Sequence, residues 1–332
     1  IGMGGSPRAA IKLGEGKNDD AERIMGNSLT ALILISLILT PLFLIFSEDL
    51  LVLFGASPET LPYALGYLRI YVMGTIFVQL ALGLNPFIST QGFAKVSMLT
   101  VVIGAVTNII LDPILMFGFN MGIEGAATAT VLSQMLSAVF VVWFLLSKKT
   151  KLKIRFKYMK LKKPIISSIL LLGMSPFVMT STESILNIAF NTSLYKYGGD
   201  IAVGAMTILS SIMQMLSLPL MGIIQGAQPI ISYNYGARNI DRVKKAFRIM
   251  MTACMIYSFL YWAFVMLFPK TPISLFNDQP DLVHTTVWAL RIYMATTFVL
   301  GAQFVCQQTF IALGQAKVSL LLALLRKVIL LI

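Results

Sequence analysis

Long apolar runs alternate with short polar breaks along almost the whole chain. The runs cover Leu29–Phe46, Pro62–Ile88, Lys95–Met116, Glu124–Leu146, Pro164–Thr192, Ile201–Ser232, Lys244–Phe268 and Leu282–Ala312. A bilayer hydrocarbon core about 30 Å thick takes roughly 20 apolar residues as helix, so each run is close to a full span. A ninth run starts near Lys317, and residues 1–7 read as the tail of an earlier span. The pattern predicts an all-α polytopic membrane protein. Both ends fall in apolar stretches with no signal peptide, so the sequence is expected to be a fragment.

Composition narrows the class. Of 332 residues, 57% are hydrophobic and only 12% charged, with a mean hydropathy of +0.82. A soluble domain carries about a quarter of its residues as charges. Too little polar side chain is present to coat a water-facing surface, which excludes a soluble enzyme, a disulfide scaffold and a disordered chain. The net charge of +12 could suggest a nucleic-acid partner, but its placement argues against one. Alternate loops hold Arg8, Lys12, Lys17 and Arg23; then Lys95; then nine Lys and Arg between Ser147 and Lys163; then Arg238, Arg242, Lys244, Lys245 and Arg248; then Lys317. The intervening loops hold Lys196 and Lys270. Twenty against two puts the first set on the cytoplasmic side. These charges fix topology, with contact to anionic lipid as the alternative. Cys254 and Cys306 lie inside apolar runs and imply neither a disulfide nor a metal site.

The chain also repeats itself. A shift of 222 residues carries Arg69-Ile70-Tyr71 onto Arg291-Ile292-Tyr293. The same shift carries Gly92, Ala94, Lys95, Val96 and Ser97 onto Gly314, Ala316, Lys317, Val318 and Ser319. Pro58 meets Pro280, and Gly4 and Pro7 meet Gly226 and Pro229, with no gap from residue 4 to residue 97. Six spans separate equivalent points, so the two copies cross the membrane in the same sense. Parallel repeats are a transporter architecture, with the substrate path between the halves. The expected organisation is an N-lobe over residues 1–146, a basic linker over 147–163 and a C-lobe over 164–332, each lobe having six helices when complete.

Fourteen acidic residues are present, and only Asp112 and Glu183 fall well inside apolar runs. A charge at mid-bilayer costs about 3 kcal/mol or more, so such residues persist by facing a cavity, binding a cation or holding a proton. Asn108 and Asp112 are four apart and share a helix face, and Pro113 frees the carbonyl of Ile109. Two side-chain oxygens beside a loosened backbone suit a hard cation; a carboxylate that caps the next helix or bonds within its own bundle is the alternative. Glu183 follows Gly173-Met174-Ser175-Pro176, with Thr180, Asn187 and Asn191 on the same span. That arrangement suits a cationic substrate or a proton, with a neutral acid hydrogen-bonded inside its own bundle as the alternative. Gln225, Gln228 and Pro229 combine amides, small neighbours and a proline near a span end, and suit close helix packing and a hinge, with direct substrate contact as the alternative; Gln303 and Gln307 read the same way, though their amides could line a polar path. No Walker A pattern, His-rich metal spacing or Gly-x-Ser-x-Gly elbow occurs.

Asn108-x-x-x-Asp112-Pro113, with Gly118 and Gly122-Ile123-x-Gly125-Ala126-Ala127-x-Ala129-Thr130, resembles the multidrug and toxic compound extrusion (MATE) family. So do Gly173-x-x-Pro176 with Glu183, and Gln225-Gly226-x-Gln228-Pro229 with Asn234-x-Gly236-Ala237. Gly4-Gly5-Ser6-Pro7 and Gly14-Glu15-Gly16-Lys17 are similar to its MepA-like bacterial branch. The resemblance implies a secondary antiporter of twelve helices in two lobes that exports cationic amphipathic drugs against inward sodium or protons. It implies a cation site at Asn108, Asp112 and a threonine placed at Thr130, with Thr128 as the alternative, completed by an acid on a first helix that this sequence lacks. It also places a functional glutamate at Glu183. The implied partners are small organic cations and membrane lipid, with no organic cofactor, no enzymatic step, no nucleic acid and a monomeric state. A lipid-linked oligosaccharide flippase would favour a mid-span Arg or Lys cluster, which is absent; a membrane scaffold would need neither carboxylate.

Overall fold

The computed structural model describes residues 1–54, 56–277 and 279–325, with the side chains at 187, 188, 191, 192, 195–197, 200, 280 and 281 outside the description. Helix α1 spans Gly2–Gly14, α2 Asn18–Ile45, α3 Ser47–Leu53, α4 Leu61–Met73, α5 Thr75–Thr90, α6 Ala94–Pro113 and α7 Gly122–Leu146. They are followed by α8 Lys163–Gly236, α9 Ile240–Leu267, α10 Lys270–Ser274, α11 Pro280–Tyr293, α12 Leu300–Ala312 and α13 Ala316–Leu324. Gly199, at φ 60°, breaks α8 into spans Lys163–Leu186 and Ile201–Gly236. No strand occurs among the described residues. Six helices are long and apolar enough to cross a bilayer, or eight if the bent pairs α4–α5 and α11–α12 each count as one span. Their outward faces are apolar: Leu37, Ile38, Ile109, Trp143, Leu218 and Leu260 are all exposed. That is expected of helices whose solvent is lipid.

Two features refine the apolar pattern. The bent pairs turn by 55° and 51°, where the sequence reads as single straight runs. Thr75 Oγ donates to the Val72 carbonyl at 2.6 Å, and Thr297 Oγ donates to the Met294 carbonyl at 2.9 Å. Such a bond competes with the helix ladder, and it stands at the break in both pairs. The residues and their carbonyl partners are related by the same 222-residue shift. Second, the helix of the first full run starts at Asn18 rather than Leu29, because its polar opening turns are packed from outside by residues 150–162.

The chain divides into two compact units, Ile1–Gly173 and Met174–Ile332. In the first, α2 packs on α1 and α5, while α7 packs on α4, α5 and α6. Its core joins Met25, Leu84, Phe87, Ile88 and Leu145 to Leu152 and Ile169. Thus both the segment expected as a linker and the start of α8 belong to this packing. Gly4 lies flush against the backbone at Ile169 and Gly173, where a Cβ would have no room. In the second unit, the Ile201–Gly236 span contributes Ile212, Leu216, Leu220 and Ile224 to a core with Met250, Cys254, Leu290, Met294 and Val305.

Residues 147–162 form a strap on the first unit. Gln91, which caps α5, accepts three hydrogen bonds at Oε1. They come from Thr150 Oγ at 2.6 Å, the Lys151 amide at 2.7 Å and the Leu152 amide at 2.9 Å. Asn27 donates to the Tyr158 carbonyl at 3.1 Å and accepts from the Lys162 amide at 2.7 Å. Buried Glu22 pairs with Arg155 Nε at 2.8 Å, and the Tyr158 hydroxyl donates to Asp19 at 3.0 Å. Gly26 is obligatory for this seat: a Cβ there would sit 2.7 Å from the Tyr158 carbonyl oxygen.

Candidate cation site in the first unit

Asn108 and Asp112 occupy successive turns of α6, and Thr130 faces them from α7. Asn108 Nδ2 donates to Asp112 Oδ1 at 3.1 Å and reaches Thr130 Oγ at 3.5 Å, the outer limit of a hydrogen bond. Thr130 Oγ spends its own hydrogen on the Ala126 carbonyl at 2.9 Å, so its lone pairs are left toward Asn108. Thr128, on another face of α7, bonds the Glu124 carbonyl instead. All three site side chains are half-buried. Pro113 ends the regular helix, and the residues that follow, Ile114–Gly118, wind as a π turn. Such turns recur at functional sites because they loosen the carbonyl ladder.

Asn108 and Thr130 also line a cavity of about 200 Å³, together with Asn85, Thr100, Ser133, Gln134 and Ser137 and with apolar residues that include Leu82 and Val101. Drug-sized ligands take pockets of about 300 Å³ or more. At about 30 Å³ per water, this cavity suits a small ion and several waters. One wall is tied by the Ser137 hydroxyl, which donates to the Thr100 carbonyl at 3.0 Å. Ser133, Gln134 and Ser137 escaped the sequence reading. The signal was present, since Thr130, Ser133, Gln134 and Ser137 recur at helical spacing within an apolar span.

The remaining candidates lie in the second unit. Glu183 is exposed on its helix and lies within electrostatic reach of Tyr293. The Asn187 side chain, and Asn191 with it, lies outside the described residues. Gln225 is exposed, Gln228 and Pro229 are half-buried, and Pro229 sits within the helix. Gln303 is half-buried, with its Nε2 enclosed and unpartnered.

Gln307, open to helix packing or to a polar path, is packing: it is 7% exposed and locked in a knot. Its Nε2 lies 2.8 Å from Ser175 Oγ, 2.8 Å from Ser319 Oγ and 3.0 Å from the Ser319 carbonyl. The two serine hydroxyls also bond each other at 2.8 Å. A buried amide so satisfied glues helices together and leaves no donor free to line a path.

A duplicated bundle of apolar helices, with a half-buried carboxylate bonded to an asparagine that lines a small cavity of mixed polarity, is the build of a polytopic membrane transporter. Comparison with known proteins gives the family. The MatE family profile matches residues 1–114 and 176–332, and the chain belongs to that family. It is 26% identical over 324 residues to the multidrug export protein MepA of Staphylococcus haemolyticus, covering 98% of this chain and 71% of that protein. To MepA of Staphylococcus aureus it is likewise 26% identical, covering 98% and 72%. Among solved structures, the MATE multidrug transporter DinF-BH superposes with a TM-score of 0.91 at 34% identity, covering 99% of this chain and 74% of the other. An outward-facing multidrug-resistance MATE transporter of the MOP superfamily shares the fold, with a TM-score of 0.90. These relatives are transporters rather than enzymes.

Proposed function

We propose that the protein is a secondary antiporter that exports cationic, amphipathic small molecules in exchange for protons or sodium, by alternating access of two lobes. The observation that carries the reading is the joining of Asn108, Asp112 and Thr130, with Asn108 and Thr130 lining a small cavity. Asp112 Oδ2, Asn108 Oδ1 and Thr130 Oγ are oxygen donors of the type a hard cation selects, and a proton on Asp112 would neutralise the same charge. One charge moved across 100 mV supplies about 2.3 kcal/mol. Glu183, in the second unit, is the proposed partner for a cationic substrate or a second proton. The protein works as a monomer in a bacterial inner membrane, with the strap end in the cytoplasm. It uses no organic cofactor, catalyses no covalent step and engages no nucleic acid.

The test is dye efflux from vesicles carrying the full chain, with the sodium gradient and the pH gradient imposed separately. Asp112→Asn and Glu183→Gln are each expected to abolish or sharply reduce ion-coupled export of a cationic dye at normal expression. Full transport by both variants would reject the reading, and whichever gradient drives the wild type identifies the ion.

A further inference from the structure

Nine of the seventeen residues in 147–163 are basic and none is acidic. A loop that only set topology would need the charges but no fixed arrangement of them. This loop has one. Thr150, Leu152 and Tyr158 are turned inward and buried, and around these feet Lys148, Lys149, Lys151, Arg155, Lys157 and Lys160 are exposed. Among the described residues only Arg155 of this set is ion-paired, to Glu22. Lys157 lies over the Tyr158 ring at 4.5 Å, its charge still facing out. At the crown of the strap, on the single 3-10 turn Phe156–Tyr158, Phe156 is 86% exposed. Leu161 is exposed further along.

We propose that the strap is a membrane-surface foot that binds the phosphate headgroups of anionic phospholipids, with Phe156 entering the headgroup boundary. Three points favour lipid over a soluble partner. The strap connects two membrane spans, Gly122–Leu146 and the span opening at Lys163, so it is held within a few residues of the interface. An aromatic ring flanked by cations matches that interface, where rings sit at headgroup depth and basic side chains meet phosphates. The charge is uniform in sign and rigidly presented by the bonds from Gln91, Asn27 and Glu22, so little ordering is needed on binding.

The experiment uses the full chain in neutral detergent, counting bound lipid by native mass spectrometry against phosphatidylglycerol and phosphatidylcholine. Phosphatidylglycerol is expected to bind preferentially, and the preference to fade at high salt. Each basic residue near an anionic surface contributes about fivefold in affinity, so K149Q/K151Q/K157Q/K160Q should lower phosphatidylglycerol affinity at least about tenfold. The matching Lys→Arg variant should retain it, and Phe156→Ser should weaken binding with the charges intact. R238Q/R242Q/K244Q/K245Q, a charge-matched change in the second unit, should have a smaller effect. Equal loss from the two glutamine sets, no headgroup preference, or displacement of the lipid by inorganic phosphate at low millimolar concentration would each overturn the proposal.

Discussion

The two copies of the internal repeat share their backbone and differ in what they hold. Helix α2 runs Asn18–Ile45 and α9 runs Ile240–Leu267, the same length at a shift of 222. Gly92 and Gly314 have φ of 89° and 71°, and Gly16 and Arg238 have φ of 76° and 57°, so even the left-handed turns coincide. At the strap seat the copies part. Glu22, Gly26, Asn27 and Gln91 of the first copy correspond to Lys244, Arg248, Ile249 and Leu313 of the second. The second set offers no acceptor for the strap amides, no carboxylate for Arg155 and no room beside α9. Duplication therefore supplied the scaffold, and these four positions distinguish the strap seat of the first copy from its counterpart in the second.

A similar divergence appears deeper in the bundle. Asn85 donates to the Ser97 carbonyl at 3.2 Å, and Ser97 Oγ bonds the Asn85 amide oxygen. Their counterparts Gln307 and Ser319 repeat the amide-to-serine-carbonyl bond. In the first copy the amide borders the cavity; in the second a longer amide and Ser175 close the site into a knot. One extra methylene and one serine on a neighbouring helix turn a cavity wall into packing.

Transplanting residues between the copies tests this account. The largest effect is expected from Gly26→Arg, which gives the first copy the second copy's residue. It should lift the strap from α2, with the loss of several hydrogen bonds worth about 1 kcal/mol each, and trypsin should then cut rapidly between Lys148 and Lys163. A strap still resistant to trypsin would show that its seat does not depend on close approach at Gly26. Gln307→Leu should cost about 1–2 kcal/mol, read as a lowered Tm of the reconstituted protein. The loss is moderate because Ser175 and Ser319 still bond each other. The smallest effect belongs to Glu15, held below the usual carboxylate range by hydrogen bonds from Lys12 and then Lys17. Because its folded pKa is depressed, its contribution is present above the ordinary carboxylate range and is lost as pH falls through the lowered value. Glu15→Ala, the second copy's residue at Ala237, should cost well under 1 kcal/mol and flatten that acid dependence in thermal melts.

Much of this was legible in residue order. Lipid solvation acts on each apolar side chain wherever it sits, so hydropathy marks the spans without reference to partners. The gapless repeat announced the duplication, and the cost of a membrane-embedded charge singled out Asp112 and Glu183. The family resemblance placed the site threonine at Thr130 with Thr128 as the alternative, and residue order alone did not separate them. Both lie on α7 two residues apart, and only the rotation of α7 against α6 puts one of them beside Asn108. The polar stripe through Ser133 and Ser137 was readable but faint, because isolated serines in a membrane helix are commonplace as packing residues.

Residue order by itself determined a helical, duplicated membrane protein with two acids inside its apolar spans and a basic segment between its halves. Tertiary structure alone decided that this segment is pinned, that Gln307 is sealed and that Thr130 joins Asn108. Burial in lipid depends on each residue's own surface. A hydrogen bond depends on where a partner arrives, and here the partners lie as far apart as Asn27 and Tyr158, 131 residues, or Ser175 and Ser319, 144 residues.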